Sequence, residues 1–187
     1  MKKLPYILTV VILMITGCQP KTLDEKLATA LIIEKNHYPT IIDHDVFCND
    51  PAHAYTIFKS GLIEKGLVKV LQSKKLGDTT SFVSFTAAAK PYLLPTPKAD
   101  KIYKIQRVKV ADEEFGAIKE IRIMSSGNKA IVAYNTIRKK NVFAAAAAAA
   151  AVKNGLRDTL NYEVYFIRTD DGWRLMDKKS EIEFLSF

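Results

Sequence analysis

Cysteine is scarce in this chain of 187 residues: Cys18 and Cys48 are the only two, which excludes a fold held together by a disulfide framework and leaves stability to a packed core. Apolar runs are short. None approaches the ~20 residues that a helix needs to cross a bilayer. There is no G-x-S-x-G elbow, no phosphate-cradling glycine loop and no H-E-x-x-H helix, so the sequence patterns that announce common hydrolases, nucleotide enzymes and metalloproteases are missing. Acids are also outnumbered, 20 against 28 lysines and arginines, for a formal charge of +8. A surplus of this sign favours anionic lipid or polymer as a neighbour, and serves solubility equally well.

What is present begins with Met1, Lys2 and Lys3, followed by the uncharged stretch Leu4 to Thr16 and then Gly17, Cys18 and polar residues. The positive start and short apolar segment have the layout of a secretory signal. Ile15-Thr16-Gly17-Cys18 resembles the lipobox of bacterial lipoprotein precursors. That resemblance implies cleavage before Cys18, residues 1–17 being discarded, and acylation of Cys18, with residues 18–21 as the tether. One acyl chain gives marginal membrane binding, whereas two or more hold a protein on a bilayer. Gln19 follows the cysteine where an aspartate would imply retention at the inner membrane, so the resemblance implies the periplasmic face of the outer membrane. Cys48 is then left without an intramolecular partner. Loss of Lys2 and Lys3 takes the 28 basic residues to 26 against 20 acids, a formal +6.

The mature chain is long enough for one domain or two small ones. Thr22 and Glu25 fit a capping box ahead of a helix with Leu23, Leu27, Ala30 and Leu31 at helical spacing, ended by Asn36 and Pro39. Asn49-Asp50-Pro51 opens a second helix that places Tyr55, Phe58 and Leu62 on one face, with Gly66 as its left-handed end. Leu67 to Leu71 and Ser81 to Phe85 read as two strands around a polar loop. The stretch from Asp50 to Leu94 resembles a winged-helix unit, a helix ending in Gly-Leu-Val that leads into a two-stranded wing. In cytoplasmic regulators such a unit binds DNA, with wing lysines, here Lys69, Lys74 and Lys75, on phosphates. An exported chain does not meet chromosomal DNA. The resemblance is therefore taken as architecture, and no nucleic-acid partner is expected.

Pro91, Pro95 and Pro97 mark a linker that divides a helical region, 22–97, from a β region, 98–187. Alternating runs at Tyr103–Val110, Ile118–Met124, Ala130–Ile137, Tyr162–Phe166 and Trp173–Met176 predict an antiparallel sheet of about five strands. Ser125–Asn128 and Asp170-Asp171-Gly172 supply turns, and Glu113-Glu114 reads as another. Tyr162, Phe166 and Trp173, at period-two spacing, are expected in the core. Eight alanines, Ala144 to Ala151, predict a helix over 141–154 capped by Asn141, packed on the sheet and held by Val142, Phe143, Val152 and Leu156. The expected fold class is α+β.

All three histidines, His37, His44 and His53, lie in one stretch with Asp43, Asp45, Cys48 and Asp50. Imidazole, thiolate and carboxylate are zinc ligands. However, the spacings match no structural zinc pattern, and on a strand from Ile41 to Phe47 the two aspartates face away from His44. No catalytic, metal or cofactor residue is assigned, and Arg138-Lys139-Lys140 is read as a solvated strand end that could reach lipid headgroups. The resulting expectation is a lipid-anchored, non-catalytic envelope module whose partner is another envelope component or anionic lipid or polymer. Two other readings stand beside it: a metal or thiol enzyme using His37 to His53, and a DNA-binding winged helix.

Overall fold

The computed structural model describes residues 22–150 and 156–177, so Cys18 and Val152 lie outside the described residues. Helix α1 spans Glu25–Asn36. Its N-cap is Asp24, whose carboxylate accepts the Leu27 N–H at 2.8 Å, and not Thr22 as the capping-box pattern suggests. The acid one residue later satisfies an orphan amide and also complements the positive helix end. His37 adopts the left-handed conformation at the other end, φ 54°. Tyr38-Pro39 is a cis bond.

Strand β1, Thr40–Phe47, leads to α2, Pro51–Lys59, with Asp50 as the N-cap and Pro51 in the first turn. The α2 residues that pack inward are Ala54 and Ile57; Tyr55 and Phe58, expected on the core face with Leu62, are turned to solvent. Leu62 is buried in the turn after the helix, and Gly66 closes it at φ 69°. Strands β2, Val68–Val70, and β3, Val83–Phe85, form the expected hairpin as a separate two-stranded sheet. A 3-10 turn at Ala87–Tyr92 and a short helix α3, Lys98–Ile102, occupy the proline-rich segment. Tyr103 therefore ends a helix instead of beginning a strand.

The fold is α+β as expected, and its main sheet has five antiparallel strands, although their membership differs. Strand β4 runs unbroken over Ile105–Ile123, merging two predicted strands and carrying Glu113 and Glu114 through the point read as a turn. Beyond it come β5, Lys129–Lys140, then β6, Thr159–Thr169, and β7, Gly172–Leu175. The fifth place is taken by β1, which arrives from the N-terminal half and pairs with the first part of β4. Three register shifts, at Ile42/Asp43, Phe115/Ala117 and Ile118/Glu120, curl the sheet, since a bulge bends its strand and increases twist. At the second shift Gly116 is required: a Cβ there would stand 2.7 Å from Asn135 Oδ1, the atom that accepts the Ala117 N–H.

Two apolar cores lie along β4. Val108 and Val110 belong to the first, with Val46, Ile57, Leu62, Val83 and Phe143. Phe115, Ile118 and Ile121 flank the second, where Ala28 and Ile32 of α1 meet Val132, Tyr134, Phe166 and Trp173. Phe166 and Trp173 are thus core residues, as their spacing predicts. The polyalanine helix α4 covers Ala144–Ala150. It packs on α2 and β4, and its entry is capped by Asn141, whose side chain accepts the Phe143 N–H at 2.8 Å. No helix among the described residues is long and apolar enough to cross a membrane.

Candidate functional site

The stretch from His37 to His53 is accounted for by structural contacts. His37 closes α1. Asp50 caps α2, accepting the Ala52 N–H at 2.7 Å. Asp43 and Asp45 share one face of β1 and both engage Arg107 of β4, at 2.9 and 3.3 Å. His44 lies on the other face, stacked with His53 at 6.1 Å between ring centroids. Burial, and then the neighbouring His53, lower the His44 pKa against the pull of the two aspartates. His53 in turn accepts the Phe47 N–H through Nδ1 at 3.4 Å and meets the Phe47 ring edge-on. Among the described residues, no group of three or more His, Cys, Asp or Glu is placed to hold a metal ion.

Cys48 is buried in the first core, and its thiol donates to the Val46 carbonyl. Burial raises its pKa above the ordinary thiol value, partly offset by backbone hydrogen bonds. This is the inert setting of a structural cysteine, not the electropositive and exposed one that a nucleophile needs. Iodoacetamide at pH 8 should accordingly label Cys48 in the native protein at least ~100-fold more slowly than in urea, because modification requires opening of the core. Mass spectrometry of a time course checks this, and comparable rates in both conditions would show the thiol to be accessible.

Polar side chains converge elsewhere, in a cleft of about 440 Å³ between the end of α1 and strands β4 to β7. Glu113 of β4 is its centre and is 4% exposed. Thr136 and Tyr162 donate their hydroxyls to Oε1 at 2.8 and 3.0 Å, while Arg138 Nε donates to Oε2 at 2.7 Å. Burial pushes this carboxyl up, but the three donors outweigh it and hold the acid below its usual value. Tyr134 stacks between Phe115 and Tyr162, at 5.7 and 5.3 Å, and its hydroxyl lies 3.3 Å from that of Tyr38. Burial raises the pKa of Tyr38, Tyr134 and Tyr162; hydrogen bonding reinforces the shift at Tyr38 and Tyr162 and opposes it at Tyr134. Lys35 and Asp177, paired at 2.5 Å, close one rim.

The cleft presents hydrogen-bonding groups that are already ordered by one another. Glu113 is ionised and both its oxygens are already engaged, so it is no free general base. The tyrosines keep their protons well above neutrality and offer hydroxyls and ring edges. The sequence pattern alone places Glu113 in a turn and Arg138 at a solvated strand end, and it singles out neither Tyr134 nor Thr136; Arg138 is instead 19% exposed and turned onto Glu113. The signal was the alternation Tyr134-x-Thr136-x-Arg138, which puts three polar side chains on one face of β5 opposite Glu113. No family model matches the chain, and neither a curated protein nor a solved structure matches it.

Proposed function

We propose that the chain is a lipid-anchored protein of the bacterial cell envelope, held by acylated Cys18 on the periplasmic face of the outer membrane, that works by binding and not by catalysis. The observation that carries this reading is the lipobox-like Ile15-Thr16-Gly17-Cys18 after a positive start and a short apolar segment. Two features support the non-catalytic half. The residues that would serve a metal or thiol enzyme are occupied in capping, ion pairing and core packing. The recessed cleft at Glu113 presents hydrogen-bonding groups whose protons are held in place. That cleft is the site where an uncharged polar ligand of the envelope would seat, because its carboxylate is already countered by Arg138.

Intact mass and membrane fractionation of the protein expressed in a bacterial host, wild type beside Cys18→Ala, test the anchor. The wild type should be shortened to begin at Cys18, gain the mass of acyl chains and follow the outer membrane. Cys18→Ala should remain unprocessed. Full-length, unmodified wild type in the cytosol would overturn the reading and leave the winged-helix alternative, with its DNA partner, as the one to pursue.

A further inference from the structure

We propose that the face formed by α2 and the β2–β3 hairpin lies against an anionic bilayer surface, a second contact that rests on the envelope reading and is independent of the acyl anchor. A groove of about 420 Å³ separates the helix from the hairpin, walled by Ala54, Tyr55, Phe58, Val70, Leu71 and Phe82. Its outer margin is apolar and uncovered. Tyr55 is 64% exposed, Phe58 39%, and Leu76 at the hairpin tip is fully exposed. Helix α2 buries Ala54 and Ile57 against the core and leaves Tyr55 and Phe58 on its outer side. The helix is thus apolar on both sides, and its outer side calls for an apolar neighbour.

Positive charge is set in the same face. Lys59 Nζ lies 5.6 Å from the centre of the Tyr55 ring, and Lys74 Nζ lies 3.9 Å from that of Phe82 while donating to Asn49 Oδ1 at 2.5 Å. Lys75 stands next to Leu76 in the tip. None of these three lysines is in a salt bridge among the described residues. Asp78, an acid that feels the Lys74 charge, makes its hydrogen bonds within its own loop, to the Thr80 amide and hydroxyl. The other dense basic run is different: Arg138, Lys139 and Lys140 are paired with Glu113, Glu114 and Asp158. Uncompensated lysines and uncovered aromatics therefore coincide on the α2–hairpin face.

That combination selects the partner. Protein interfaces are depleted in lysine, whereas a membrane surface recruits tyrosine and phenylalanine at headgroup depth and lysine against anionic phosphates. Long lysine stems also lie along apolar surface while their ammonium groups reach outward. Tyr55, Phe58 and Leu76 would enter the interface, with Lys59, Lys74 and Lys75 on the phosphates.

Residues 18–187 with Cys18→Ser, which bear no acyl group and retain every described residue of both cores, should co-sediment with vesicles containing phosphatidylglycerol and not with pure phosphatidylcholine. Added salt should release the protein. The double variant Lys74→Glu/Lys75→Glu should weaken binding at least ~25-fold, a factor of about five for each lysine, and Tyr55→Asp/Phe58→Asp should abolish it. Tyr55, Phe58 and Lys75 are exposed, whereas Lys74 is half-buried over the Phe82 ring. Circular dichroism should therefore be unchanged in both variants, and Lys75→Glu alone, at an exposed position, should weaken binding about 5-fold with the thermal midpoint unchanged. Failure of the parent chain to bind anionic vesicles, or binding that both double variants leave intact, would overturn the proposal. So would a dimer in sedimentation that Tyr55→Asp/Phe58→Asp turns into a monomer, which would make the face a contact between two copies. The acyl mass of the wild type is read separately, so loss of the anchor reading and loss of this one are distinguishable.

Discussion

Glu113→Ala is expected to cost about 3 kcal/mol of stability at neutral pH, measured by urea denaturation. The substitution removes the acceptor for three donors at once. Thr136 is fully buried, Tyr162 is held in a ring stack, and the Arg138 side chain is only 19% exposed. A buried charge that loses its partner is more costly than the pair was favourable, and two hydroxyls are orphaned with it. The loss falls at the low end of the usual range because Arg138 keeps some access to water. Glu113→Gln preserves the shape and an acceptor for the hydroxyls, so it should lose roughly half as much.

The same cluster sets how stability depends on pH. The Glu113 pKa is depressed in the folded state, so its contribution is fully present above the ordinary value of 4.5 and is lost as pH falls through the folded value. The three tyrosines behave oppositely. Their raised pKa values mean that the unfolded chain gives up these protons first, so stability declines as pH rises above 10. The wild type should thus hold a plateau between those limits, and Glu113→Ala should flatten the acid side. A loss under ~1 kcal/mol for Glu113→Ala at pH 7, or an acid limb unchanged by it, would show that the carboxylate does not organise the cleft.

Glu113 also shows where sequence reading stops. Asp112-Glu113-Glu114 interrupts two alternating runs and reads locally as a turn, because three successive acids do not suit a strand that must bury one of them. What permits the strand is Arg138, 25 residues later and opposite Glu113 in the register. A partner that becomes adjacent only through pairing leaves no local mark. Tyr55 and Phe58 mislead for the related reason that spacing identifies a face of α2 but not which neighbour covers it. Where the signal is local, it holds. Asp50-Pro51 starts α2, Gly66 ends the turn that follows, and Asp170-Asp171-Gly172 joins β6 to β7. The share of β1 in the main sheet was illegible, since its alternation predicts a strand and nothing in it names β4 as the partner.

Phe143→Ala should be the most damaging substitution in the first core, at about 4 kcal/mol. Helix α4 consists wholly of alanine over its seven residues. That length is too short for a helix to persist alone, and buried methyl groups contribute little area, so propensity cannot hold it in place. The residue that does so sits just ahead of it. Phe143 is fully buried, with its ring 5.4 Å from Tyr92 and 6.1 Å from Phe85. Its backbone is fixed as well, because Asn141 accepts the Phe143 N–H while donating its side-chain amide to the Lys109 carbonyl of β4. Removing the ring leaves a cavity that alanines on α4 are too small to fill and that the pinned backbone cannot close. Phe143→Leu, which keeps most of the volume, should cost about 1.5 kcal/mol, and Ala145→Ser on the exposed side of α4 under ~0.5. Urea denaturation followed by circular dichroism separates the three. If Phe143→Ala proves as mild as Ala145→Ser, the helix is held by its alanine contacts with α2, and the polyalanine tract itself anchors that side of the fold.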